Sequence, residues 1–159
     1  MILRPARAAD AAGILAIANP IIETTAITFT TDLKTPEGVR ADIAGAGGAY
    51  LVAERDGAVL GYATCFAFRK GPGYARTMEH SLGLAPEARG QGLGRALMAA
   101  LEEVARSAGV HSLFAGVSGE NPGGVSFHAA VGYHEVARLP EVGYKFGRWM
   151  DLVLMQKFL

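Results

Sequence analysis

The chain is 159 residues long, half of them hydrophobic and 19% charged, which fits a single soluble domain (residues 1–159) able to fold without covalent staples. Fifteen basic side chains balance fifteen acidic ones, so no positive excess points to nucleic acid or to an anionic membrane. The single cysteine, Cys65, excludes an internal disulfide framework and suits a reducing cytoplasm.

Ile2 to Arg4 reads as a short strand. Asp10 is placed as the N-cap of a helix that buries Ala11, Ile14, Leu15 and Ala18 on one stripe. The apolar run from Ala11 to Ala18 is too short to cross a bilayer and lacks the flanks of a secretory leader. A second helix follows Pro36 and runs to about Ala46, where Gly47-Gly48 ends it. Tyr50 to Glu54 and Val59 to Phe66 form a hairpin through Asp56-Gly57; Cys65, in its apolar run, reads as a small buried hydrophobe. Thr77 to Leu84 is a strand with Met78, His80, Leu82 and Leu84 on one face and Thr77, Glu79, Ser81 and Gly83 on the other. An amphipathic helix then buries Leu93, Leu97, Leu101, Val104 and Ala108, leaves Glu102 and Arg106 paired on its wet side, and stops at Gly109. Val110 to Val117 is a strand. Asn121-Pro122 opens a helix to about Val131, and strands near Tyr133 to Leu139 and Trp149 to Gln156 end the chain. A hairpin followed by alternating strands and helices implies a mixed α/β sheet with helices on its faces.

The run RGQGLGRAL, Arg89 to Leu97, places three glycines between a strand and a helix. Free backbone N–H groups and the positive end of a helix dipole make such a turn an anion site, and glycine lets a phosphate approach it. A P-loop requires Gly-Lys-Ser/Thr, whereas Gly94 is followed by Arg95-Ala96. A dinucleotide fingerprint requires G-x-G-x-x-G and a later acid; the chain has Gly90, Gly92 and Gly94 at alternate positions and no acid from Val110 to Leu113.

The spacing Arg89-x-x-Gly92-x-Gly94, after a strand and before a long helix, resembles the acyl-CoA pyrophosphate loop of the GNAT N-acetyltransferases. The stretches MEHSLGLAPEARGQGLGRAL and GYKFGRWMDLVLMQ look like the phosphinothricin and methionine sulfone/sulfoximine acetyltransferases within that superfamily, and the resemblance runs from Arg4 to Phe158. It implies the GNAT fold, a central mixed, mostly antiparallel twisted sheet of about seven strands with helices on both faces and a splayed central strand pair. It implies transfer of acetyl from acetyl-CoA to the α-amine of a small amino acid analogue, by direct attack through a tetrahedral intermediate, with a detoxifying role, and a homodimer in the cytoplasm.

By that resemblance the pantetheine lies along Leu82, Gly83 and Leu84, and the pyrophosphate on Arg89, Gly90, Gln91, Gly92, Leu93, Gly94 and Arg95. Asn121 caps its helix and also touches the cofactor, although Pro122-Gly123-Gly124 weakens the first turn. Enzymes of that subfamily usually carry a bulky residue where this chain has Gly83, which implies a wider pocket beside it. Glu79 is the candidate general base, its pKa raised by apolar neighbours. His128 is the candidate proton donor to the departing thiolate, with a second base or a packed helix histidine as the other readings. Arg69 in the loop FRKGPGY is matched to the acceptor's carboxylate, with Lys70 and Arg76 behind it and Gly71 beside it; His80, on the face opposite Glu79, has a structural or acceptor-orienting role, and Ser81 is placed with the acceptor. Phe29 and Trp149 are candidates for the pocket lining. His111 and His134 are ordinary, and four scattered histidines make no metal site. The alternatives are a GNAT enzyme for another amine, such as a polyamine or a protein N-terminus, and a non-catalytic acyl-CoA-binding module, which would need neither Glu79 nor His128.

Overall fold

A computed structural model describes residues 1–159. In chain order the elements are β1 (Ile2–Pro5), α1 (Ala11–Thr24), α2 (Pro36–Gly45), β2 (Tyr50–Arg55), β3 (Ala58–Ala67), β4 (Thr77–Leu84), α3 (Leu93–Ser107), β5 (Ser112–Ser118), α4 (Pro122–Ala130), β6 (His134–Lys145) and β7 (Arg148–Phe158). They form one seven-stranded sheet in the order β1-β2-β3-β4-β5-β7-β6, in which only β4 and β5 run parallel.

Side-chain alternation assigns the helices to opposite faces. Tyr62, Thr64 and Phe66 of β3 stand opposite Gly83, Ser81 and Glu79 of β4 and share one face with α1, whose Gly13 abuts Val59. On the other face Gly61 lies beneath Leu84 and Leu97 of α3, and α4 follows on that side, Phe127 touching Gly94. The core joins both layers: Ile14 of α1, Val52 and Ala63 of the sheet, and Leu97 and Leu101 of α3 are fully buried.

The Asp56-Gly57 turn takes positive φ at both residues, 52° and 81°, as its composition predicts. Other local expectations need correction. Asp10 precedes α1 but its carboxylate makes no bond to that helix; it accepts from the Arg4 guanidinium at 2.8 Å and from the Arg7 N–H at 2.7 Å. Helix α1 continues past Pro20 to Thr24, because Ile22 is buried and the Thr24 and Thr25 hydroxyls donate to the carbonyls of Pro20 and Ile21. Glu102 is buried rather than wet, its carboxylate taking the Lys157 ammonium at 2.6 Å, while Arg106 pairs with Glu103. Val104 is half-buried and Ala108 exposed; Met98 and Ala105 complete the buried stripe instead. The last two strands are longer than expected and meet at Phe146-Gly147, a turn with positive φ at both residues.

Candidate active site

Strands β4 and β5 pair only from Thr77↔Ser112 to Glu79↔Phe114. Beyond that point β4 stays with β3 as far as Leu84, and β5 with β7 as far as Ser118. The facing edges of His80–Leu84 and Ala115–Ser118 therefore part, and a cavity of about 1240 Å³ opens into the gap. Glu79, His80, Ser81, Leu82, Gly83, Leu84, Arg89, Asn121 and His128 all line it, together with Phe29.

Glu79 stands where the strands separate. A methyl group at Gly116 would lie 2.7 Å from its Oε1, so the carboxylate crosses the gap over a glycine of β5. Burial raises the Glu79 pKa above the ordinary carboxylate value, which moves a general base toward its working range. Gly116 carries no signal in the sequence; the alternation of β5 shows only which face it occupies. Gly116→Ala should push the carboxylate aside and lower kcat roughly tenfold or more, as steady-state rates at saturating substrates would report.

Gly83 is explained by its neighbour. A Cβ there would meet the Tyr62 ring at 2.4 Å, so the space that the sequence assigns to a wider pocket is filled by Tyr62 from β3. Asn121 caps α4 as expected, its Oδ1 accepting the Gly124 N–H at 3.0 Å. The glycine in the weakened first turn has a purpose: a Cβ at Gly124 would lie 2.4 Å from the Asn121 amide.

His80 and His128 come from opposite sequence contexts and meet at 3.1 Å, Nε2 to Nε2. His128 Nδ1 lies 2.7 Å from the Gly124 carbonyl. A carbonyl only accepts, so Nδ1 carries the hydrogen, Nε2 offers a lone pair, and the His80 Nε2–H donates to it. His80 Nδ1 is then bare, buried and without a partner. Burial, joined by the neighbouring His128, pushes His80 down to about 3; burial also lowers His128. Both rings are neutral at neutral pH. The unfolded chain, with ordinary histidines near 6.5, binds more protons than the folded one, so stability is lost as pH falls below that value. Thermal melts between pH 7 and 4 should show Tm falling, and His80→Gln should flatten the slope.

Arg89 is the one residue of the predicted turn that lines the cavity; Gly90 to Arg95 follow it outside the lining. Gly90 and Gly92 have φ of 72° and 78°, and no protein atom lies within 4 Å of a Cβ built at either. The backbone N–H groups of Gly90, Gln91, Gly92, Leu93, Gly94 and Arg95 donate to no protein acceptor. Six free amides at the start of α3, with Arg89 beside them, fit the oxygens of a diphosphate. Arg95 instead reaches the Ala130 carbonyl at 3.2 Å.

Arg69, Lys70 and Gly71 lie outside the cavity lining, exposed on the loop after β3, with the Arg69 guanidinium over the Tyr74 ring. Trp149 is also outside it, exposed and against Tyr144. Lys34, which sequence reasoning missed, lines the cavity; its backbone is held by both ends of the Asn19 amide. Cys65 is buried with its Sγ 3.8 Å from Met78 Sδ, and His111 and His134 are exposed. No group of three His, Cys, Asp or Glu side chains is placed to hold a metal, and no helix is long and apolar enough to cross a membrane.

Residues 21–133 match the acetyltransferase (GNAT) family. The chain is 38% identical to an L-amino acid N-acyltransferase of Escherichia coli, over 98% of this chain and 92% of that protein. It is 40% identical to an L-methionine sulfoximine/L-methionine sulfone acetyltransferase of Pseudomonas aeruginosa, over 97% of this chain and 92% of that one. A phosphinothricin acetyltransferase of the GNAT superfamily from Sinorhizobium meliloti, solved in complex with acetyl-CoA, superposes with a TM-score of 0.92 at 32% identity, covering 99% of this chain and 88% of that one.

Proposed function

The chain belongs to the GNAT acetyltransferase family and is an acetyl-CoA-dependent N-acetyltransferase; from that premise we propose that it acetylates the α-amine of a small amino acid analogue of the methionine sulfoximine, methionine sulfone or phosphinothricin type. The observation that carries the reading is Glu79, a half-buried carboxylate of raised pKa reaching across the splay in a cavity whose lining also includes Arg89, the residue that leads into the turn of free amides. Similarity to an amino acid acyltransferase and to a methionine sulfoximine/sulfone acetyltransferase supports the acceptor class.

Bound acetyl-CoA supplies an acetyl group activated as a thioester. The residues assigned to hold it are Leu82, Gly83 and Leu84 of β4, the turn Arg89–Arg95 and Asn121. Glu79 takes the proton that frees the acceptor's nitrogen as a nucleophile. His128 has its hydrogen tied to the Gly124 carbonyl and its Nε2 lone pair engaged by the His80 N–H; it is assigned as the acid for the departing sulfur, a role that requires the His80–His128 bond to open and Nε2 to take the proton lost by the attacking nitrogen before passing it on. His80 and Ser81 orient the acceptor, and its carboxylate is assigned to Arg69 or Lys70 on the loop beside Gly71, with Lys34 in the cavity as the competing cation.

Two copies are proposed to pair through the β6–β7 hairpin. The exposed side chains of Val136, Leu139, Val142, Tyr144, Phe146 and Trp149 put a large apolar surface beside the edge strand, a surface that monomers rarely leave open. The same reading places the enzyme in the cytoplasm as a detoxifying activity.

The test is release of coenzyme A, followed with a thiol reagent, across methionine sulfone, methionine sulfoximine, phosphinothricin, ordinary amino acids, polyamines and N-terminal peptides. Turnover fastest on the first three supports the proposal. Turnover only on polyamines or peptides would move the acceptor to another class, and tight acetyl-CoA binding without any turnover would leave a binding module.

A further inference from the structure

We propose that Lys145 and Gly143, at the end of β6, are positioning residues that hold the acceptor-side wall of the cavity. The inference rests on the reading that the end of the cavity away from the free amides receives the acceptor.

That wall is the segment after α1, in which Ile27, Thr28, Phe29 and Thr30 line the cavity. From residue 26 to residue 34 no backbone N–H donates to another backbone group. Its own donors go to the Thr25 and Thr30 hydroxyls and to the Asn19 amide. A segment so poor in backbone bonds needs support from elsewhere.

Lys145 provides it from the far end of the chain. Its side chain turns inward from β6 and the residue is buried. Nζ donates to the carbonyls of Ile22 at 2.6 Å, Thr25 at 2.7 Å and Thr28 at 2.9 Å. An ammonium has three hydrogens, and all three are used. Ile22 is in the last turns of α1 and Thr25 follows its end, where carbonyls lack helical partners and a cation is favoured. The third bond carries the clamp into the wall itself.

Two residues earlier on the same strand, Gly143 fixes the next wall residue by its lack of a side chain. A Cβ at Gly143 would lie 2.5 Å from the Phe29 ring. Phe29 therefore rests on the bare backbone of β6 while facing the cavity. The two contacts are independent, one polar and one steric, and both act on the segment from Ile22 to Phe29.

Lys145→Met removes the three donors at nearly constant length, Lys145→Arg restores a buried cation, and Gly143→Ala moves Phe29 while leaving the ammonium in place. Steady-state kinetics with methionine sulfone and acetyl-CoA separate the two substrates. The expected result is an acceptor KM raised roughly tenfold in Lys145→Met and in Gly143→Ala, acetyl-CoA KM within about twofold of the parent, and part of the loss regained in Lys145→Arg. An acceptor KM unchanged in Gly143→Ala and in folded Lys145→Met overturns the inference. Should Lys145→Met not fold, the Gly143→Ala result decides. If the parent protein acetylates no amine, the functional reading fails separately, and the clamp is judged by tryptic cleavage after Lys34. Faster cleavage in either folded variant supports it, and parental rates in both overturn it.

Discussion

Glu79→Gln is expected to lower kcat by roughly 10² to 10⁴-fold, the usual contribution of a positioned general base. The amide keeps the size of the carboxylate and its place over Gly116, so loss of proton acceptance is the main change. In the parent enzyme kcat/KM should rise with pH through the raised Glu79 pKa, and that limb should vanish in the variant. Stability should move the other way. A carboxyl whose folded pKa is raised binds more protons folded than unfolded, so its ionisation costs stability as pH rises through the window between the two values. At neutral pH, Glu79→Gln should therefore melt at or above the temperature of the parent. A variant that is both inactive and less stable would show that Glu79 supports the fold rather than the reaction; full activity would remove it as the base.

Gly92→Ala is expected to raise the KM for acetyl-CoA about tenfold, corresponding to roughly 1.4 kcal/mol of binding. At φ 78° alanine is strained, by about 1–2 kcal/mol, and the turn should relax away from the conformation that aims its amides outward. No protein atom lies within 4 Å of the added methyl group, so packing is not disturbed and the effect should fall on the cofactor. The acceptor KM should stay near the parental value. Equal losses for both substrates would mean that the turn supports the whole cavity and not the diphosphate end alone.

Local sequence carried the elements whose signals are local. Alternation places β4 at Thr77–Leu84 as observed, Asp56-Gly57 marks its hairpin, and the glycine run before α3 is legible as a turn with free amides. What was hidden depends on distant partners. Glu102 has a wet helical spacing but is buried by Lys157 from β7. Pro20 lies inside α1, and burial of Ile22 holds the helix together beyond it. Phe146-Gly147 lacks the Asn or Asp that announces such a turn, and it takes the positive φ values nonetheless. At the site, Glu79 and His128 could be named from their motifs. The crossing of Glu79 over Gly116, the filling of Gly83 by Tyr62 and the contact of His80 with His128 each need two strands, or a strand and a helix, brought together by the fold. No periodicity within one segment reports such pairs.

The position of coenzyme A decides whether Glu79 and the Gly90–Arg95 amides serve one reaction. A crystal structure of the acetyl-CoA complex is the direct measurement. It should show the diphosphate on the amides of Gly90–Arg95, the pantetheine arm in the gap between β4 and β5, and the thioester carbon within reach of an amine poised beside Glu79. A diphosphate bound elsewhere, or a Glu79 carboxylate turned away from the sulfur, would contradict that assignment.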